Sequence, residues 1–204
     1  MSLELLDKTS LKEKIDETKR IYDELELKQK DFCSSFDIAC IDGCGKCCEN
    51  YIPDIKIVEA YFIAYGLIKE GRDKEIYELL NNNNNDKTCP LFIKDSKYHC
   101  SLYKYRPLVC RLFGASFNKD KNGDIAYRNC KWKNEEYLSL NESNKKKDLL
   151  IFMSDYGEML QEINPDDSNT ELLTIAVKKA LDNIYYILDL EEKQNGKKES
   201  VWNK

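Results

Sequence analysis

Cysteine is the residue type in this chain whose spacing points most clearly to chemistry. The 204 residues include nine cysteines, and eight of them form two groups and a satellite. The first group consists of Cys40, Cys44, Cys47 and Cys48. The second group consists of Cys89, Cys100 and Cys110, and the satellite is Cys130. Thiols gathered this closely are ligands that soft metal ions prefer, so the pattern predicts a metal site.

Disulfide pairing explains the same cysteines less well. An odd number of cysteines cannot pair completely within one chain, and their density is about half that of small secreted disulfide scaffolds. Residues 1–8 lack the basic and then apolar pattern of a signal peptide. The most apolar window, residues 58–68, is far shorter than the roughly 20 residues that cross a membrane. We therefore expect a cytoplasmic protein with reduced thiols and no membrane span.

The charge of the chain argues against nucleic-acid binding. The net charge is -5 and 34% of the residues are charged, which predicts a soluble acidic protein without a strong positive field. Basic residues nevertheless surround the second cysteine group, namely Lys94, Lys97, Lys104, Arg106 and Arg111. They could form a solvated loop. Alternatively, Arg106 and Arg111 could offset the charge of about -2 that four thiolates leave around a divalent metal.

The spacing of the first group can be tested geometrically. An ideal helix would place all four of its sulfur atoms on one face. Gly43 and Gly45 instead favour a tight loop whose N–H groups point at sulfur, with Cys44 and Cys47 holding one ion. The side chains of Cys47 and Cys48 diverge because the residues are adjacent. One of these two thiols is then left for a second metal, a cluster edge or a chemical role.

Other candidates each have a structural alternative. His99, the only histidine, could complete a thiolate site beside Cys100 or could point away from it. Cys33 and Cys130 could be ligands or small buried hydrophobic residues. Thiol–disulfide exchange between Cys44 and Cys47 lacks the strand-before, helix-after context that such motifs need.

Helical patterns dominate the elements that must position these thiols. An apolar stripe of Leu11, Ile15, Tyr22 and Leu25 predicts an amphipathic N-terminal helix. Pro53 and Asp54 predict the start of the next helix. Two more helices are predicted over residues 147–163 and 171–191. Pro107 could open a single helical turn that carries Cys110.

One short β element is also predicted. The turn sequence Asn122-Gly123-Asp124 suggests a hairpin that joins residues 115–117 to 125–127. We expect a mainly α, single-domain protein over residues 1–204, with helices packed around a loop-rich cysteine core. Its parts are an N-terminal helical arm (1–30), the cysteine core (31–134), C-terminal helices (135–192) and a flexible tail (193–204).

The ordered motifs Cys-x-x-Cys-Cys, Cys-Pro, Cys-x-x-Tyr and Arg-Pro-x-x-Cys-Arg carry a family resemblance over residues 40–113. Here they read Cys44-Gly-Lys-Cys47-Cys48, Cys89-Pro, Cys100-Ser-Leu-Tyr103 and Arg106-Pro-Leu-Val-Cys110-Arg111. This order resembles the YkgJ-like cysteine-cluster family, also called the CxxCxxCC family and described as zinc- or iron-chelating. In one departure, the family's first cysteine belongs at position 41, which is Ile41 here, and Cys40 is displaced by one residue.

The resemblance implies a metal-binding protein that holds zinc or iron, with an iron–sulfur cluster as one form. Zinc is satisfied by four ligands, so six or seven clustered thiols favour an iron–sulfur centre or a two-metal site. An alternative follows from members that look like the cysteine-rich part of flagellin lysine N-methylases. It is an iron–sulfur-dependent methyltransferase that uses S-adenosylmethionine on a lysine of a protein substrate. The chain has no glycine-rich motif for the methyl donor, and whether it is an enzyme stays open.

Overall fold

The computed structural model describes residues 3–36, 45–82, 87–96, 98–128, 130 and 147–202, with side chains up to residue 193. Helices α1 to α7 span Ser10–Ser35, Lys46–Glu49, Ile57–Lys69, Asp73–Asn81, Leu108–Arg111, Met153–Ile163 and Leu173–Trp202. Strands β1 to β4 span Asp54–Lys56, Ser116–Lys119, Ile125–Arg128 and Thr170–Leu172. Single 3-10 turns cover Leu3–Leu6, Tyr103–Tyr105 and Lys147–Leu149. The prediction of a mainly α fold is confirmed.

Helix α3 forms the centre of the core. It packs between α1 and α7 and is buried around most of its circumference, as expected for a helix that is apolar on nearly every side. Its buried apolar residues are Val58, Ala60, Phe62, Ile63, Ala64 and Leu67. Among the described helices, none combines the length and apolar character that crossing a bilayer requires.

Helix α1 covers one side of this core with the stripe predicted from its sequence. Leu11, Ile15, Tyr22 and Leu25 are all buried. Thr9 caps the helix, because its hydroxyl oxygen accepts the Lys12 N–H at 3.2 Å. The helix continues to Ser35, past the predicted boundary of the arm at residue 30.

The predicted hairpin is present as the antiparallel pair β2–β3. Its turn is held by the Asp120 side chain, which accepts N–H groups of Asn122 at 2.8 Å and Asp124 at 2.9 Å. Gly123 has a φ of +87°, a left-handed value that glycine adopts without strain. Phe117 on β2 is buried against Phe32 of α1, which fixes the hairpin on the helical core.

A second two-stranded sheet was not predicted. Strand β1 pairs antiparallel with β4, and the Leu173 N–H donates to the Pro53 carbonyl at 2.8 Å. The predicted helix start at Pro53 and Asp54 is therefore wrong, because α3 begins at Ile57 after the strand. Helix α7 likewise begins at Leu173 rather than at residue 171. Local periodicity cannot reveal pairing between segments so far apart in sequence.

The C-terminal helix predictions need two further corrections. The segment 147–163 forms a 3-10 turn and then α6 from Met153, since the Ile151 carbonyl between them accepts the Phe117 N–H at 2.7 Å. Helix α7 runs to Trp202, through the segment predicted as a tail. That segment contains no proline, and its Lys, Glu and Gln residues are good helix formers.

Tyr105 anchors the segment between the second and third cysteines of the second group to α3. Its hydroxyl donates to Glu70 at 2.7 Å, and its ring lies directly on Gly66. A β-carbon at Gly66 would lie only 2.2 Å from the Tyr105 ring. Gly66 is therefore required for this close approach.

We predict that Gly66→Ala destabilises the protein by about 1–3 kcal/mol, because the anchored Tyr105 ring must move. Gly157→Ala in α6 is the matched control, since nothing lies within 4 Å of a β-carbon there. The control should stabilise the protein by about 0.5–1 kcal/mol through helix propensity. Urea unfolding measures both values, and a gain of stability in Gly66→Ala would contradict the packing described.

Glu59 is a buried carboxylate that joins three segments. Its oxygens accept the Tyr22 hydroxyl at 2.6 Å, the Leu108 N–H at 2.7 Å and the Lys56 N–H at 2.8 Å. Burial raises the pKa of Glu59, and these donors act to lower it. Because Leu108 is the first residue of α5, Glu59 fixes the turn that carries Cys110.

We predict that Glu59→Gln lowers the free energy of unfolding by about 1–3 kcal/mol. A glutamine amide would turn an NH₂ group toward one of the three donors, which would then lose its acceptor. Glu158→Gln on the exposed side of α6 serves as control and should change stability by no more than about 0.5 kcal/mol. Equal chemical-denaturation curves for the two variants would show that the buried network is not stabilising.

Candidate metal centre

The described part of the first cysteine group begins at Gly45 and continues on the short helix α2. Gly45 has a φ of +50°, and a β-carbon there would lie 2.5 Å from the Phe92 ring. The residue therefore has to be glycine both for its backbone conformation and for space, as expected for a tight loop. Cys47 and Cys48 follow on α2, and the Cys48 N–H donates to the Gly45 carbonyl at 2.9 Å.

Main-chain hydrogen bonds join this group to the second one. The Cys89 N–H donates to the Cys48 carbonyl at 2.8 Å. Beside it, the Thr88 hydroxyl donates to the Glu49 carbonyl at 3.0 Å. The two groups, separated by forty residues of sequence between Cys48 and Cys89, are thus directly adjacent in space.

The other two cysteines of the second group are held by different elements, Cys100 by a β-bridge and Cys110 by helix α5. Cys100 forms a β-bridge with Phe92, and the next residue, Ser101, donates its N–H to the Leu91 carbonyl at 2.9 Å. Cys110 lies on α5, where its N–H donates to the Pro107 carbonyl at 3.0 Å. The predicted single helical turn with Cys110 is present as α5, but Pro107 lies at its N-cap and not at its first helical position.

The thiols of Cys47, Cys48, Cys89, Cys100 and Cys110, hereafter the thiol cluster, act on one another electrostatically. The Sγ atoms of Cys47 and Cys48 lie 3.9 Å apart. Their hydrogen bond lowers the pKa of Cys47 and raises that of Cys48. Burial raises the pKa of Cys89 to about 11 and also raises the pKa values of Cys100 and Cys110.

Repulsion between thiolates adds to the effect of burial. Negative charge on Cys89, Cys100 or Cys47 raises the pKa of Cys110, and charge on Cys100 and Cys47 raises that of Cys89. The five thiols therefore share one environment, in which the charge of one thiolate opposes the ionisation of its neighbours.

Arg106 and Arg111 play different parts around this cluster. The Arg106 charge acts to lower the pKa values of Cys47, Cys100 and Cys110, and its guanidinium stacks on Tyr103 at 3.7 Å from the ring centroid. Arg106 is therefore the arginine whose positive charge favours the thiolate forms of Cys47, Cys100 and Cys110.

Arg111 braces the chain beside the cluster. It is buried and donates to the carbonyls of Arg106 at 2.6 Å and Lys104 at 2.8 Å. Its guanidinium carbon lies 4.3 Å from the centroid of the Tyr22 ring. These contacts hold the 104–111 segment against α1.

The other candidate cysteines divide into two sets. Cys40 and Cys44 lie outside the described residues. Cys33 is on α1 and packs against the hydrophobic core. Cys130 lies beside Gly114, where a β-carbon would be 2.9 Å from the Cys130 β-carbon.

Thiolates are the ligand type that soft metal ions prefer, and the thiol cluster supplies five thiols. All five members of the thiol cluster are free of disulfides and half-buried or buried. Within the described ranges, however, no three Cys, His, Asp or Glu side chains form a group that could hold a metal ion.

Two residues near the cluster were not found from the sequence. Glu59 fixes α5 and lies at the third position of α3, but the residue before that helix is Lys56 and not the serine or threonine of a capping box, so no sequence signal marked it. Burial raises the pKa of Tyr51, and negative charge on Asp54 and on Cys110 raises it further. No spacing signal marks Tyr51, because its proximity depends on tertiary structure.

Comparison with known proteins gives one positive result. No curated protein and no solved structure significantly matches the chain. A family model matches residues 39–142, about half of the chain, and bears the description "CxxCxxCC: Putative zinc- or iron-chelating domain". The resemblance predicted from the cysteine motifs is thereby confirmed, and the chain belongs to the CxxCxxCC family of zinc- or iron-chelating domains.

Proposed function

We propose that this protein binds zinc or iron through cysteine thiolates. The proposed ligands are drawn from Cys47, Cys48, Cys89, Cys100 and Cys110, with Cys44 and Cys40 as further members. The observation that carries the proposal is that hydrogen bonds join the segments of these free thiols: the Cys89 N–H donates to the Cys48 carbonyl at 2.8 Å and the Ser101 N–H, next to Cys100, donates to the Leu91 carbonyl at 2.9 Å. The family description supports chelation of the same metals.

The physical case rests on the cost of gathering these groups without a cation. Burial and repulsion from neighbouring thiolates both oppose ionisation of Cys89, Cys100 and Cys110. A divalent metal reverses this balance, since it displaces the thiol protons and draws the thiolates together. Arg106 offsets part of the remaining negative charge from the edge of the cluster.

The number of thiols bears on the form of the metal. Four ligands complete a structural zinc site, and four cysteines likewise hold one iron–sulfur cluster, so five or more thiols suit two metal sites. An iron–sulfur centre beside a second metal, or a pair of metal ions, is therefore the finer hypothesis that agrees with the ligand count. Methyl transfer to a lysine remains a prediction from the family resemblance.

Metal analysis separates these forms. After anaerobic purification we expect at least one equivalent of zinc or iron per chain, measured by elemental analysis. Acid-labile sulfide in proportion to iron would establish a cluster, and a colourless protein with stoichiometric zinc would exclude it. Protein that retains neither metal, and that binds neither on reconstitution, would contradict the proposed function.

Single substitutions test the ligands. We predict that Cys89→Ser weakens metal binding at least tenfold, because serine does not replace a thiolate toward soft metals. The metal-dependent gain in stability, about 2.7 kcal/mol when free metal exceeds the Kd 100-fold, should shrink accordingly. Isothermal titration and thermal unfolding with and without metal measure the two effects.

Cys33→Ser is the matched control for this experiment, since Cys33 lies on α1 and packs against the core. It should bind metal as the unaltered protein does. If Cys89→Ser and Cys33→Ser behave alike in the titration, Cys89 is not a ligand.

A further inference from the structure

His99 has an unusual backbone conformation within a closed loop. Its φ is +50°, a left-handed value that costs a non-glycine residue about 1–2 kcal/mol. The loop is closed by hydrogen bonds from the Ile93 N–H to the His99 carbonyl at 3.2 Å and from the His99 N–H to the Ser96 carbonyl at 3.3 Å. Strained residues of this kind cluster at binding sites and other functional positions.

The hydrogen bonding of the ring fixes its tautomer. Nδ1 of His99 lies 3.0 Å from the Ile93 carbonyl oxygen. Because a carbonyl oxygen only accepts, Nδ1 donates, and Nε2 of the neutral ring carries a lone pair. Nε2 is buried and has no hydrogen-bond partner within the described residues. A buried polar atom left in this way costs about 1–3 kcal/mol.

The His99 ring packs against Phe92 and lies beside the backbone of Gly45. It stacks on Phe92 with ring centroids 5.8 Å apart. Its Cγ is 3.0 Å from the place where a Gly45 side chain would begin. Gly45 stands two residues before Cys47, and Cys100 directly follows His99 in sequence.

We propose that Nε2 of His99 is a nitrogen ligand of the metal centre, an inference that rests on the proposed function. A histidine ligand typically donates its other N–H to a carbonyl or carboxylate, and His99 already has that arrangement through Ile93. Metal coordination would satisfy the buried Nε2 lone pair and account for the strained backbone. The centre then has a mixed sulfur and nitrogen ligand set, with one negative charge fewer than an all-thiolate set of equal size.

Because His99 is the only histidine in the chain, NMR can observe it without ambiguity. Full-length protein labelled with ¹⁵N-histidine is titrated with ¹¹³Cd²⁺, a thiolate- and imidazole-binding substitute for zinc. We expect the Nε2 resonance to be split by coupling to cadmium, while Nδ1 keeps its proton. Cadmium bound with a thiolate charge-transfer absorption but without splitting of Nε2 would overturn the assignment of His99 and leave the thiolate function standing.

A pair of variants provides a second readout. His99→Asn retains a side-chain donor for Ile93 and tolerates a left-handed backbone, but it lacks Nε2. Its affinity for cadmium should fall by about 10- to 100-fold. Ser96→Ala, which removes a 3.3 Å hydrogen bond to the same Ile93 carbonyl, should bind as the unaltered protein does.

Equal affinities for His99→Asn and Ser96→Ala would overturn the inference. A failure of the unaltered protein to bind cadmium, zinc or iron at all would overturn the proposed function, and this inference with it.

Discussion

Repulsion among buried thiolates is the constraint on which the site depends. Three segments bring Cys47, Cys48, Cys89, Cys100 and Cys110 together, and the charge of one thiolate opposes the ionisation of the next. Water relieves this repulsion only in part, because Cys89 is buried and the other four thiols are half-buried. The hydrogen bond from Cys48 lowers the pKa of Cys47, whereas burial and repulsion raise the pKa values of Cys89, Cys100 and Cys110. A soft cation would relieve the repulsion and so contribute binding energy.

Contacts with α1 and α3 hold the cysteine-bearing segments in place. Tyr105 packs on Gly66, Glu59 accepts the Leu108 N–H, and Arg111 stacks on Tyr22. The first two contacts use α3, the most buried of the described helices, so the cysteine segments are attached to the centre of the hydrophobic core. Such attachment limits the entropy lost when the thiols close on an ion.

Sequence reasoning succeeded where the signal is local. The stripe on α1, the turn at Gly123 and the helical turn after Pro107 each depend on residues close together in the chain. It failed for the β1–β4 sheet, whose strands come from segments that only the folded core brings together. At the site, the type and spacing of the cysteines predicted that they bind a metal. The tautomer of His99 was not predictable, because it depends on the Ile93 carbonyl, which only the folded loop brings close to the ring.

X-ray absorption at the edge of the bound metal tests the central claim most directly, because it observes the atoms that contact the metal. Thiolate coordination predicts a first shell dominated by sulfur at about 2.3 Å for zinc, with a nitrogen contribution at about 2.0–2.1 Å. A first shell that contains only oxygen and nitrogen would contradict the account, since the thiol cluster would then take no part in binding.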